Sequence, residues 1–281
     1  MNVFFHYSGY CSSDNKHVYV GAPAGKAIFP AFWALLKHPT EGYILFDTGY
    51  ASRFLEATSY FPNSIYAKMT PVTFQDSDSV VNILKNQHQI EPDAIRYIVI
   101  SHFHGDHIGG LLDFPKAKII CTKMAFEHIW HCPNWLALSR AYLKDLLPKD
   151  LPQRTLFIEE IAEKTPHTHF KETWFWAEMG ITFVHLPGHA RGQVGLMFKS
   201  KGGSLQGDVF LVADAAWHIE SIRRNVPPSP LVRLFVDSYA ELKDSITRLH
   251  HFCNANPNVT PIVTHCKETL GKYLPTLNEL Y

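Results

Sequence analysis

The stretch 102–107 reads HFHGDH and places three histidines and one aspartate within six positions. His102 and His104 lie two residues apart in a loop, where alternate side chains can point to the same side and offer two imidazoles to one ion. Asp106 and His107 follow at the mouth of a predicted helix and face a different point. Because a divalent transition metal takes about four such ligands, the stretch supplies most of one metal site and part of a second.

A polar surface loop with chance histidines is the alternative interpretation of this stretch. Any single histidine would favour that alternative, since most histidines are surface residues or satisfied core residues. Here, however, the register HxHxDH directly follows the apolar run 95–100 and precedes Gly109 and Gly110. This combination favours a metal centre at the end of a buried strand.

Other metal-capable residues also follow predicted strands. His189 comes after 181–186, Asp214 after 208–213, and His265 after 259–263. Functional groups concentrate at strand ends because a rigid sheet positions them while the loops leave space for substrate. We therefore expect these side chains to converge with those of HFHGDH.

The remaining elements are predicted from periodicity and composition. Runs rich in β-branched and aromatic residues predict further strands over 18–21, 27–36, 42–46, 95–100 and 118–121. Apolar residues at helical spacing predict helices over 76–87 and 237–252, and another helix can open at 108–112. The segment 122–172 combines large side chains with prolines and predicts a helical insertion over the core. Its apolar residues could pack on the body, line a pocket or form a homodimer interface.

Length and composition favour a single soluble globular domain over 1–281. Lys plus Arg and Asp plus Glu both total 26, so the formal net charge is zero and we expect no nucleic-acid partner. The five scattered cysteines lack CxxC spacing and are expected to be reduced thiols. Neither a signal peptide nor an apolar run of about 18 residues is evident, so we expect a cytoplasmic protein without a membrane segment.

HFHGDHIGG, the upstream LFDTG and the downstream LPGHARGQVG, VADAAW and VTHC together resemble the metallo-β-lactamase superfamily, in the same order over most of the chain. The resemblance implies an α/β (α+β) fold, an αββα sandwich with the metal site along one edge. It also implies a first ion bound by His102, His104 and His189, and a second bound by Asp106, His107 and His265. Asp214 would bridge both ions, and Asp47 would stand beside the ligands to orient their imidazoles.

Within the superfamily the motif order is most similar to the N-acyl-homoserine lactonase group. This similarity implies opening of a lactone or related ester by hydroxide formed on two divalent ions, with the catalytic Asp106 passing a proton to the leaving group. Two features depart from that group. Trp217 stands where a tyrosine commonly polarises the substrate carbonyl, and the segment between His107 and His189 is longer. His218 is close enough to Asp214 in sequence to reach the same pocket.

Several alternatives remain open at this point. A thioester or a phosphodiester could be the substrate, as in other members of the superfamily, and a ligand-binding regulator without turnover is a further possibility. Histidine and carboxylate ligands without thiolate suit zinc first, with iron, manganese or cobalt as alternatives. In each case the partner would be a small molecule.

Overall fold

The computed structural model describes residues 1–280, and the strands of this range form two facing sheets. The first sheet contains β1 (Asn2–Asp14), β2 (Lys26–His38), β3 (Gly42–Phe46), β4 (Val72–Thr73), β5 (Ile95–Val99), β6 (Lys118–Cys121) and β7 (Thr155–Phe157). The second contains β8 (Glu163–Thr165), β9 (Thr173–Trp176), β10 (Ile181–His185), β11 (Val194–Lys201), β12 (Gln206–Leu211) and β13 (Val259–Ile262). Their spatial orders are β4-β1-β2-β3-β5-β6-β7 and β13-β12-β11-β10-β9-β8.

Helices connect the strands. They are α1 (Ser52–Ala57), α2 (Ser64–Met69), α3 (Val80–Ile83), α4 (Gly105–Ile108), α5 (Lys123–His131), α6 (Asn134–Ala137), α7 (Leu151–Arg154), α8 (Ile158–Ile161), α9 (Ile219–Arg224), α10 (Tyr239–Ala255) and α11 (Lys267–Leu270). A π-helical turn, Leu84–His88, continues α3, and short 3-10 turns occupy several of the remaining loops. No helix within residues 1–280 combines the length and apolar character needed to cross a bilayer.

Alternation along the strands creates the layers of the sandwich. In β3, Ile44 and Phe46 enter the apolar cluster between the two sheets, whereas Leu45 enters the cluster under the outer helices. In β12, Leu211 faces inward and Phe210 packs outward against α10. Both faces of these strands are therefore covered, which explains their continuous apolar sequences. Burying each large apolar side chain contributes about 1.5–3 kcal/mol.

The αββα arrangement is confirmed, and most predicted strands agree with the structure to within two residues. The predicted strand 18–21 is wrong, because these residues form a turn in which Val18 and Tyr19 are buried against Phe29. Their apolar character reflects burial of a loop rather than strand pairing. The predicted helix 76–87 is present as a 3-10 turn, α3 and the π-helical turn.

The insertion is helical over a shorter range than predicted. Helices α5 to α7 are followed by β7, which pairs with β6, and by β8, which pairs with β9. Residues 155–157 and 163–165 therefore form edge strands of the two sheets, and only the short helix α8 lies between them. Each of these edge strands has three residues, too few to produce a periodic signal in the sequence.

The helix after HFHGDH begins earlier than predicted, at Gly105, so that Asp106 and His107 lie in its first turn. Gly109 and Gly110 follow, and a Cβ on Gly109 would come within 2.6 Å of the Gly49 carbonyl oxygen. The double glycine thus permits close packing of this helix on the loop after β3. All five cysteines are unpaired in the described chain, as expected for reduced thiols.

Candidate metal centre

The predicted ligands meet where several strands end at one edge of the sandwich. The loop after β5 supplies His102 and His104, and α4 supplies Asp106 and His107. The loops after β10, β12 and β13 supply His189, Asp214 and His265 from the second sheet. Both sheets therefore contribute to one cluster of side chains.

The seven side chains form three overlapping groups, within each of which the ligand atoms lie no more than 4.8 Å apart. These groups are His102 with His104 and His189, His102 with His107 and Asp214, and Asp106 with His107 and His265. The closest approaches are 2.9 Å between His104 Nδ1 and His189 Nε2 and 3.0 Å between His265 Nε2 and Asp214 Oδ2. The structure thus brings together every residue of the predicted ligand set.

Asp214 lies between the two ends of the cluster. Its Oδ2 atom is 3.3 Å from His189 Nε2, and its Oδ1 atom is 3.5 Å from His107 Nε2. Oδ2 also lies 3.0 Å from His265 Nε2, so the carboxylate contacts histidines of both predicted ligand groups, as a bridging ligand would.

Unpartnered buried atoms provide a test of whether metal ions fit these residues. Among the described residues, His102 Nε2, His107 Nε2 and Asp214 Oδ1 are buried without a hydrogen-bond partner. Leaving such a group unsatisfied costs about 1–3 kcal/mol, and a cation would satisfy each of them. The nitrogen and oxygen donors suit zinc, iron, manganese or cobalt. The residues present therefore fit a divalent metal pair.

Polar contacts behind the cluster orient two of its imidazoles. Asp47, with φ +60°, accepts hydrogen bonds from the Ser101 backbone N–H at 2.8 Å, the Ser101 hydroxyl at 2.7 Å and His107 Nδ1 at 2.7 Å. His265 Nδ1 donates to the Pro30 carbonyl at 2.9 Å. Both rings thus direct Nε2 toward the cluster.

Ser101 and the Pro30 carbonyl were not predicted from the sequence. Ser101 could have been predicted as a supporting residue, because it lies between a buried strand and His102 in the sequence. The contact with the Pro30 carbonyl could not, because a backbone carbonyl in a distant strand has no distinguishing sequence feature.

Burial determines the charge of three histidines. It holds the pKa of His102 and of His189 well below the ordinary value, and it lowers the pKa of His104 to about 4. These rings are neutral at neutral pH. Since imidazole must be neutral to bind a metal, this end of the cluster is ready to do so.

The other end is dominated by carboxylates. Burial acts to lower the pKa of His107, but Asp106, Asp47 and Asp214 outweigh it and raise that pKa well above the ordinary range. Burial is likewise outweighed at His265, whose pKa is raised by Asp214. Burial acts to raise the pKa of Asp214, yet His265 and His107 hold this pKa well below the ordinary value. Asp214 is therefore ionised and favours a bound cation.

Trp217 and His218 occupy different surroundings. Trp217 donates its indole N–H to Asp214 Oδ2 at 3.2 Å. His218 instead accepts a hydrogen bond at Nδ1 from the Glu220 backbone N–H and caps α9, with its ring 5.2 Å from that of Tyr19. His218 therefore stabilises the start of α9, and its role in the pocket stays a prediction.

Several known proteins are similar to this chain. An N-acyl homoserine lactonase from a Bacillus species is 28% identical over 225 residues, covering 80% of each chain. The structure of an N-acyl homoserine lactone hydrolase, with N-hexanoyl-L-homoserine bound at its catalytic metal center, matches with a TM-score of 0.72 at 24% identity over 95% of each chain. AidC, described as a dizinc quorum-quenching lactonase, matches with a TM-score of 0.63 at 18% identity over 94% of this chain and 87% of its own.

A family model supplies the broader assignment. The model described as the metallo-beta-lactamase superfamily matches residues 28–249, which include all of the clustered side chains except His265. With the sandwich and the HxHxDH cluster both in place, the chain belongs to the metallo-β-lactamase superfamily and is a metal-dependent hydrolase.

Proposed function

We propose that this protein is a dinuclear lactonase that opens N-acyl homoserine lactones or closely related esters. The observation that carries the proposal is the position of Asp214, whose carboxylate contacts His189 of one predicted ligand group and both His107 and His265 of the other. The substrate class is supported by the relatives, which are named as N-acyl homoserine lactonases.

Each of the clustered side chains has a proposed place. One ion would be held by His102, His104 and His189, the other by Asp106, His107 and His265, and Asp214 would contact both. When bound, two such ions supply an ionised water as nucleophile and positive charge for the developing oxyanion. Zinc is the proposed metal, since AidC is described as a dizinc enzyme.

Asp106 is the proposed proton carrier. Of the two carboxylates in the cluster it is the more exposed, with 13% of its side chain accessible against 4% for Asp214. Its Oδ2 atom lies 3.5 Å from both His107 Nε2 and His265 Nε2. A carboxylate at the open side of the cluster can receive a proton and pass it to the oxygen of the leaving alcohol.

Apolar side chains border the cluster and support an acylated substrate. Phe29 lies with its ring 5.4 Å from His265 and 6.1 Å from Trp217. On the other side, the ring of Tyr142 from the insertion is 5.9 Å from His104. Such walls suit an apolar chain beside a polar reacting group.

The deciding experiment is a substrate panel on the metal-loaded protein. Lactones of several acyl lengths, thioesters and phosphodiesters would be compared at equal concentration, with metal content measured in parallel. We expect two metal equivalents and a kcat/KM for lactones about 100-fold or more above the other classes, a preference of the size that transition-state discrimination can provide. Efficient turnover of phosphodiesters without turnover of any lactone would contradict the proposal, and bound metal without turnover of any class would indicate a regulator.

The domain extent, the cellular location and the oligomeric state of the protein also remain predictions. We propose one domain over 1–281, a cytoplasmic location and homodimeric association through the insertion. Size measurement by light scattering tests the last point directly.

A further inference from the structure

The segment before α10 is bound to the loop that carries His189. The backbone N–H of Asp237 donates to the His189 carbonyl at 3.0 Å, and the N–H of Ser238 donates to the Gly188 carbonyl at 2.9 Å. Two consecutive backbone hydrogen bonds therefore fix the main chain of this proposed metal ligand.

The carboxylate of Asp237 joins two arginines. Oδ1 accepts from Arg140 Nη1 at 3.1 Å, and Oδ2 accepts from Arg191 Nη1 at 3.3 Å. The Asp237 side chain is 9% exposed, whereas those of Arg140 and Arg191 are 38% and 52% exposed, so the carboxylate is the buried centre of two partly exposed ion pairs. Arg191 belongs to the His189 loop, whereas Arg140 belongs to the insertion.

Arg140 is followed closely in the chain by a residue that packs on His104. The next residue, Ala141, has a φ of +56°, an uncommon conformation for a non-glycine residue that persists only when its surroundings hold it. The ring of Tyr142 then packs 5.9 Å from His104.

We infer that Asp237 is a positioning residue of the proposed metal centre, because it ties the insertion behind His104 to the loop of His189. These two imidazoles approach to 2.9 Å and belong to the same proposed ion site. The insertion would then act as a support for one metal ligand. The inference rests on the proposed function only in requiring a metal at this site, and it is independent of which ester is hydrolysed.

The test compares Asp237→Asn with Asp244→Asn in the full chain. Asp244 lies in α10 and also joins two cations, Arg248 at 2.8 Å and Lys171 at 2.9 Å, but it is not bonded to the ligand loop. Metal-free proteins would be titrated with Zn²⁺ by calorimetry and with Co²⁺ by visible absorption. In Asp237→Asn we expect one of two affinities to fall about 10- to 100-fold while the other is unchanged, a typical effect of removing support from a metal ligand. Asp244→Asn should match the unmodified protein.

A second variant keeps the test informative if Asp237→Asn does not fold. Arg140→Gln leaves the carboxylate and its bond to Arg191 in place and removes only the tie to the insertion. We expect it to weaken the same ion site, and Asp237→Glu to restore part of the affinity. Folded variants with the affinities of Asp244→Asn would overturn the inference while leaving the proposed function intact. Failure of the unmodified chain to bind metal would instead refute the proposed function, and the inference with it.

Discussion

Trp217 donates its indole N–H to Asp214 Oδ2, and its ring lies edge-on to His189 with centroids 5.6 Å apart. The side chain therefore contacts both the proposed bridging carboxylate and a proposed ligand of the first ion. The resemblance to the lactonase group led us to expect a tyrosine at this position. Trp217 also provides one hydrogen-bond donor, but on a larger ring.

Replacing Trp217 by Phe should lower kcat/KM on lactones by about 10- to 100-fold. A hydrogen bond to a charged group contributes about 1.5–3 kcal/mol, and phenylalanine cannot donate one. Trp217→Tyr restores a donor and should recover part of the loss. Steady-state kinetics on one lactone series checks the prediction, and equal activity of the Phe and Tyr variants would contradict it.

His265→Ala should reduce the bound metal from two equivalents to about one. His265 is a proposed ligand of the second ion, and its Nδ1 atom is held by the Pro30 carbonyl. We expect kcat to fall by about 10²-fold or more, the size of effect seen when one stabilising group is removed from an active site. Metal analysis after gel filtration provides the measurement. His250→Ala is the control, because His250 bonds to the Ile222 carbonyl on the outer face; an equal loss of metal in this control would contradict the assignment.

Gly188→Ala should destabilise the protein far more than Gly207→Ala. The two glycines have nearly the same backbone conformation, with φ of +121° and +125°. A Cβ on Gly188 would lie 2.0 Å from the Leu242 backbone nitrogen, whereas a Cβ on Gly207 meets nothing within 4 Å. We expect the free energy of unfolding to drop by about 1–3 kcal/mol for Gly207→Ala from conformational strain alone.

For Gly188→Ala the collision with α10 adds to that strain, and the total should exceed about 4 kcal/mol. Urea unfolding of both variants measures the difference. Equal losses would mean that α10 moves aside easily.

His6 should make the protein less stable in mild acid. It stacks on Trp33, and its Nε2 atom lies 2.8 Å from His88 Nε2. Burial and then His88 lower the pKa of His6 to about 3 from the ordinary 6.5. Between these two pH values the unfolded chain binds a proton at His6 that the folded chain does not bind. The free energy of unfolding therefore has its full value above pH 6.5 and decreases as the pH falls below 6.5.

For one such group, the free energy of unfolding changes by about 1.4 kcal/mol per pH unit. We expect this slope of the unfolding free energy against pH to be mostly absent in His6→Phe, in comparison with the unmodified chain. His251→Gln, which changes an exposed histidine, should leave the slope intact. A steep slope that persists in His6→Phe would assign the acid sensitivity to other groups.

The sequence allowed the metal cluster to be predicted because its signals are local. His189, Asp214 and His265 each follow an apolar strand, and parallel alignment of such strands brings their ends to one edge. Strand periodicity failed at 18–21, where a buried loop has the composition of a strand. It also failed at 155–157 and 163–165, where the strands are too short to show alternation.

The supporting contacts around the cluster could not be predicted in the same way. Asp237 and Arg140 are nearly a hundred positions apart, and their ion pair depends on how the insertion folds back over the core. The Pro30 carbonyl acts through its backbone, so its residue type carries no information about the contact. The helix cap made by His218 could not be predicted for a related reason, since a histidine that caps a helix and one that faces a pocket look alike in sequence.

The ligand cluster draws on both halves of the sandwich: His102, His104, Asp106 and His107 come from the first sheet, and His189, Asp214 and His265 from the second. Each proposed ion would therefore act as a cross-link between the sheets as well as a reagent. Occupancy at a thousandfold excess over the dissociation constant adds about 4 kcal/mol to stability. Cellular metal supply would thus govern how long each molecule survives proteolysis, in addition to how fast it turns over substrate.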